Sequence, residues 1–158
     1  MVLVLSRTEA AAWLAAAVFV FGAFTDGLDG YLARRYAGSS AIGQWLDPLA
    51  DKILVTTPIV AMSAIGTFPW WATAIIVVRE LAVSLLRIRL GNRGIGMPAS
   101  VWGKVKTAVQ MVLVPLYLLP LDAATAERVV LALAVALTIW SGVDYFIRVD
   151  RRVEAERA

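Results

Sequence analysis

Five apolar runs, at about 9–33, 45–66, 69–90, 99–120 and 124–147, take up most of this 158-residue chain. A bilayer's hydrocarbon core is about 30 Å thick, and roughly 20 helical residues cross it. Each run is about that long. Lipid offers no partners to backbone N–H and C=O groups, so runs of this kind must be helices. A β-barrel would show short alternating segments instead. The chain is 60% hydrophobic with a mean hydropathy of +0.75, more apolar than ordinary soluble domains. The fold class expected is an all-α integral membrane protein with about five transmembrane helices. Only short connections remain, so residues 1–158 read as a single membrane domain whose last residues, 149–158, form a charged tail.

Four carboxylates interrupt this pattern. Asp26 and Asp29 lie at the end of the first run, and Asp47 and Asp51 at the start of the second. A charge in hydrocarbon costs about 2.5–3.5 kcal/mol even on lenient insertion scales. Spacings of three and four residues put each pair on one face of its helix. The two helices are antiparallel neighbours across a short polar loop, so all four groups can converge at one membrane surface. Together they would repel one another unless a cation sat among them. Two divalent ions about 4 Å apart, bridged by carboxylates, would fit and would clamp a phosphate. Gly22, Gly30 and Ala33 lie on or near the Asp29 face, where small side chains allow close approach. The plainer alternative, four solvated helix-end carboxylates, does not account for the paired spacing.

The chain contains no Cys and no His. Disulfides, thiolate sites and imidazole ligands are excluded. Any metal must be held by oxygen, which favours Mg²⁺, Mn²⁺ or Ca²⁺. Any general base must be a carboxylate, Lys or Tyr. The liganding pattern of an EF-hand is missing.

Basic residues gather at alternate ends of the runs. Arg34 and Arg35 follow the first, and Arg87, Arg89, Arg93, Lys104 and Lys106 surround the third connection. Arg148, Arg151, Arg152 and Arg157 close the chain, while the other ends hold Arg7 and Arg128. The positive-inside rule then puts the Asp cluster, the 87–106 segment and the C-terminus in the cytoplasm, with the N-terminus outside. The first run has no basic segment before it and continues into Asp26 and Asp29, so it is not read as a cleaved signal peptide.

Lys104, Lys106, Arg87, Arg93 and Arg148 are expected to ring the cytoplasmic opening, where a phosphate-bearing acceptor could dock. Contact with anionic lipid heads accounts for Arg35, Arg89, Arg151 and Arg152. Lys104 and Lys106 lie inside an apolar run, which favours ligand contact. Arg79 and Glu80 are deeper. Neighbours in a helical sequence do not face each other, so each is expected to pair with another helix. Structural pairing and pocket lining are both open for them.

The run D-x-x-D-G-x-x-A-R-x8-G-x3-D-x3-D, here Asp26 through Asp51 without a departure, resembles the signature of the CDP-alcohol phosphotransferases. Asp47-Pro48-Leu49-Ala50-Asp51-Lys52, Arg79-Glu80, Gly103-Lys104-Val105-Lys106-Thr107 and Gln110-Met111 are similar to one branch, the phosphatidylglycerophosphate synthases. The resemblance covers about residues 15–148. It implies a membrane enzyme, a transferase dependent on Mg²⁺ or Mn²⁺. Such an enzyme uses CDP-diacylglycerol, releases CMP and forms a homodimer in the cell membrane, with its active site facing the cytoplasm. By position, it implies that Asp26, Asp29, Asp47 and Asp51 ligate metal and that Asp51 is the catalytic base. Gly30, Ala33 and Gly43 would give room for the cytidine nucleotide, and Arg34 would support the motif loop. The family usually has six membrane helices, with one before the motif helix. Five are counted here, so residues 1–5 are read as the stub of a first helix.

The reaction expected from that resemblance is transfer of a phosphatidyl group to sn-glycerol 3-phosphate, giving phosphatidylglycerol phosphate for phospholipid biosynthesis. Lys104, Lys106, Arg87 and Arg148 would hold the acceptor phosphate. Rival readings change the acceptor to inositol phosphate, phosphatidylglycerol or serine, make the chain an ion transporter, or make it a shortened non-catalytic membrane subunit. No nucleic-acid partner is expected.

Overall fold

The computed structural model describes the backbone at residues 2–5, 8–36, 43–92, 94–95 and 100–157. Side chains are described at 3–4, 8–25, 52–92, 94–95, 100–152 and 154. Among the described residues every regular element is a helix. These are α1 (Val2–Leu5), α2 (Glu9–Tyr36), α3 (Gly43–Ala64), α4 (Trp70–Gly91), α5 (Val101–Leu118) and α6 (Ala124–Arg157). The five long helices match the five apolar runs. The charged tail continues α6 as helix to Arg157. α3 runs unbroken through Pro48 and Pro58.

The helix ends follow from local chemistry. Thr8 precedes α2 and accepts the Ala11 N–H on its Oγ1 at 3.3 Å, and Ser100 accepts the Gly103 N–H on its Oγ at 2.9 Å. Both satisfy donors that the first helical turn leaves unpaired. α3 stops at a Schellman closure: Gly66 N–H donates to Ser63 O at 3.1 Å, and Thr67 N–H to Met62 O at 3.0 Å. Gly66 has φ +82°, a conformation that needs the missing Cβ. Gly94, at φ +78°, repeats the device after α4, with Ile95 N–H donating to Leu90 O at 3.0 Å. Leu90 and Ile95 are both buried there, the apolar contact that commonly seals such a cap.

α5 is the central strut, packed on α2, α3 and α6; α4 lies against α3 and α6, and α1 against α2 and α3. The larger core cluster joins Phe19 of α2, Ile59 and Met62 of α3, Ile76 of α4, and Leu113 and Val114 of α5. A second cluster joins Val83 and Leu90 of α4 to Tyr145 and Val149 of α6. The late turns of α4 and α6 therefore share one end of the bundle. At the other end, Phe68 before α4 meets Tyr117 of late α5 edge-on, with ring centroids 4.8 Å apart. The end of α2, the start of α3 and the start of α5 belong to the first end, where the basic residues collect.

The interior is mostly apolar but carries a polar layer, and the exterior is rich in large apolar side chains. Between the two apolar clusters lie the buried Glu80, Lys106, Gln110, Thr138 and Ser141. Large apolar side chains face outward, among them Phe21 and Phe24 of α2, Leu81 and Leu85 of α4, and Trp140 and Phe146 of α6. Within α6, residues Ala124–Arg152 are long and apolar enough to cross a membrane.

Candidate active site

The motif occupies the facing ends of α2 and α3. Asp26, Asp29, Gly30, Ala33 and Arg34 lie on the last turns of α2, and Gly43, Asp47 and Asp51 on the first turns of α3. Their side chains lie outside the described residues. The backbone keeps Asp26 and Asp29 about one turn apart on one helix, and Asp47 and Asp51 about one turn apart on the next. The four acidic side chains of the motif would offer only carboxylate oxygens, the chemistry that hard divalent cations take. Among the described residues, no group of three or more His, Cys, Asp or Glu side chains gathers into a cluster that could hold a metal.

Behind the motif, α4, α5 and α6 share a buried polar layer. Glu80 of α4 accepts from Lys106 Nζ of α5 and from Arg79 Nη1, the latter at 3.1 Å. Arg79 Nη2 donates to Ser141 Oγ of α6 at 3.0 Å. Ser141 Oγ donates to Thr138 O at 3.2 Å, and Thr138 Oγ1 to Ala134 O at 2.6 Å. Gln110 Nε2 reaches Thr138 Oγ1 at 3.4 Å. Lys52, one residue after Asp51, lies within electrostatic reach of Glu80. The layer thus adjoins the motif half carried by α3.

The expectation that Arg79 and Glu80 point apart is corrected. Each does pair with another helix, but they also bond to each other. The long Arg79 side chain curls back along α4 far enough to meet its neighbour's carboxylate, which the spacing of Cβ atoms alone does not reveal. Its stem lies over Gly142, where a methyl group would stand 3.4 Å from Arg79 Cγ.

The four cations assigned to the acceptor phosphate are in different states. Lys104 is exposed on α5, whereas Lys106 is only 4% exposed and salt-bridged to Glu80. Arg87 of α4 is half-buried, with its guanidinium carbon 6.0 Å from the Tyr145 ring centroid and its Nε unpartnered among the described residues. Arg148 Nη2 bonds Asp144 Oδ2 at 2.7 Å, one turn back on α6.

Sequence reasoning missed Thr138, Ser141 and Tyr145. The signal was available as a stripe of small or polar residues on one face of α6, Ala134, Thr138, Ser141, Gly142 and Tyr145. Such a stripe lets another helix approach closely and bond to it.

The profile of the family described as CDP-alcohol phosphatidyltransferase matches residues 1–140. A Mycobacterium tuberculosis (strain H37Rv) protein named "Probable phosphatidylglycerophosphate synthase" is 42% identical over 150 residues, covering 94% of this chain and 70% of that protein. The Bacillus subtilis (strain 168) protein named CDP-diacylglycerol–glycerol-3-phosphate 3-phosphatidyltransferase is 38% identical over 136 residues, covering 83% and 70%. A Shigella flexneri protein of the same name is 40% identical over 140 residues, covering 83% and 75%. With the motif intact across α2 and α3 and a profile match over most of its length, this chain belongs to the CDP-alcohol phosphatidyltransferase family.

Proposed function

We propose that this chain transfers a phosphatidyl group from CDP-diacylglycerol to sn-glycerol 3-phosphate, releasing CMP and forming phosphatidylglycerol phosphate. The observation that carries the reading is the pairing of the unbroken Asp26–Asp51 motif on α2 and α3 with a buried cationic layer at Lys106 and Arg79. One part suits a nucleotide-linked pyrophosphate and the other a second anion. The names of the three relatives support the choice of substrates.

The bundle works as a multi-pass protein of the cell membrane. Helices α2, α3, α4 and α6, of 22 to 34 residues, have lengths of ~33–51 Å at 1.5 Å per residue, enough to span a ~30 Å core, and the 18-residue α5 reaches ~27 Å. Large apolar side chains on the outside, with the charged Glu80 and Lys106 kept inside and paired, suit a lipid surrounding. The end rich in Arg and Lys faces the cytoplasm, and the protein acts as a homodimer.

Asp26, Asp29, Asp47 and Asp51 would hold two divalent ions, Mg²⁺ or Mn²⁺. When bound, such ions offset the charge of the pyrophosphate and of the departing CMP. The other steps belong to the chain's own residues. Gly30, Ala33 and Gly43 leave room for the cytidine nucleotide beside the backbone, and Arg34 supports the motif loop. Lys104, Lys106, Arg87 and Arg148 hold the acceptor phosphate so that its glycerol hydroxyl meets the lipid-linked phosphorus. Asp51 takes the hydroxyl proton. The new P–O bond forms as the bond to CMP breaks.

The test is to supply the purified protein with CDP-diacylglycerol and Mg²⁺, offer acceptors one at a time, and identify the lipid. Phosphatidylglycerol phosphate made from sn-glycerol 3-phosphate supports the assignment. A product only from inositol phosphate, phosphatidylglycerol or serine moves the acceptor. Metal uptake into vesicles without CMP release would replace the enzyme reading with transport.

A further inference from the structure

Glu80 is only 7% exposed, yet one of its oxygens receives two cationic donors from different directions. Arg79 approaches along α4 and is anchored at its other end by Ser141 of α6. Lys106 approaches from α5. Lys52 of α3 adds its charge from the motif side. Burying a carboxylate costs several kcal/mol before any partner repays it, and apolar residues of equal volume commonly stabilise a fold as well or better. Stability alone therefore gives a poor account of this group. Positioning gives a better one. Lys carries a compact charge on a flexible four-carbon stem, and fixing that stem costs rotamer entropy. A carboxylate that fixes it beforehand removes the cost from the binding step.

We propose that Glu80 is a positioning residue for the acceptor. It holds the Lys106 ammonium and the Arg79 guanidinium in place to receive the phosphate of a small phosphomonoester. The inference rests on the reading of sn-glycerol 3-phosphate as acceptor and of Lys106 as one of its contacts.

Glu80→Gln keeps the shape and removes the charge. With the full-length protein in detergent–lipid micelles, the KM for sn-glycerol 3-phosphate should rise about tenfold, the scale of one charge-assisted contact. The KM for CDP-diacylglycerol should change less than twofold. Glu80→Asp keeps the charge on a side chain one methylene shorter, and its acceptor KM should fall between the two. A purely structural role would lower the melting temperature and the apparent kcat and leave the acceptor KM alone. An unchanged acceptor KM, or equal rises in both KM values, overturns the proposal. If Glu80→Gln does not assemble, Glu80→Asp decides by the same criterion. Turnover by the unaltered protein separates the two claims: without turnover on sn-glycerol 3-phosphate the acceptor assignment fails and this inference falls with it. With turnover, the variants judge Glu80 alone.

Discussion

Gly22 of α2 faces Leu54 of α3 so closely that a methyl group on Gly22 would stand 3.2 Å from Leu54 Cδ1. Asp26 lies one turn beyond Gly22, and Asp51 about one turn before Leu54. The contact therefore sets the spacing of the two motif helices next to the carboxylates.

Gly22→Ala should be tolerated. The tip of Leu54 can give by a few tenths of an ångström, and Ala favours a helix by up to about 1 kcal/mol over Gly. Gly22→Leu should not be tolerated, because overpacking costs about 1–3 kcal/mol and here pushes α2 from α3. The Mg²⁺ concentration for half-maximal CMP release should rise at least about threefold, a loss of binding near 0.7 kcal/mol. Metal titration of both variants checks this. An unchanged half-saturation in Gly22→Leu would separate helix spacing from metal affinity.

Lys104 and Lys106 should respond differently to Met substitution. Lys106→Met leaves the buried Glu80 with Arg79 and without its α5 partner. Breaking a buried pair of this kind costs about 3–5 kcal/mol. Lys104 is exposed, and Lys104→Met should change stability by no more than about 0.5 kcal/mol. Both should weaken use of the acceptor. Thermal unfolding beside acceptor kinetics checks the pair; equal melting temperatures would contradict the burial of Lys106.

The five long helices were legible because each apolar run had to satisfy its backbone internally and was bounded by polar or Gly-containing connections. The start of the motif could be placed on α2 and its end on α3 for the same reason. The polar layer was not legible. Arg79 finds Ser141 at a separation of 62 residues, and no local period reports such a contact. Ser and Thr in an apolar run ordinarily bond to a carbonyl of their own preceding turn. Thr138 does so, which masks its second contact with Gln110. The Arg79–Glu80 bond was missed because the rule used concerns Cβ directions, and a guanidinium at the end of a long stem does not obey it.

Tyr145 offers a test of the α4–α6 seam. It is 3% exposed, and its hydroxyl has no hydrogen-bond partner among the described residues. An unpaired buried hydroxyl costs about 1–3 kcal/mol. Tyr145→Phe should therefore hold or raise the melting temperature, and it keeps the ring beneath Arg87. Tyr145→Leu should lower it by losing that ring, a cation–π contact worth about 0.5–1 kcal/mol or more. A clear fall in Tyr145→Phe would mean that the hydroxyl bonds to a group in the working protein.

A chelator should stop CMP release, and Mg²⁺ or Mn²⁺ should restore it. Asp→Asn at Asp26, Asp29 or Asp47 removes one charge from an oxygen-only donor set. Each should reduce metal-dependent turnover at least about a hundredfold, the scale seen when a preorganised charge-stabilising group is lost. Raised Mn²⁺ should recover part of the loss, because the defect is one of occupancy. Asp51→Asn should differ: CDP-diacylglycerol binding persists while the chemical step falls about 10²–10⁴-fold with the base removed. Added metal returns only the occupancy lost with this ligand and should not restore turnover, because Asn cannot accept the hydroxyl proton. Donor binding by equilibrium dialysis and CMP release in a single turnover separate the two classes. Near-normal turnover at Asp26, Asp29 or Asp47 removes that residue from the metal site, and near-normal turnover at Asp51 removes it as the base.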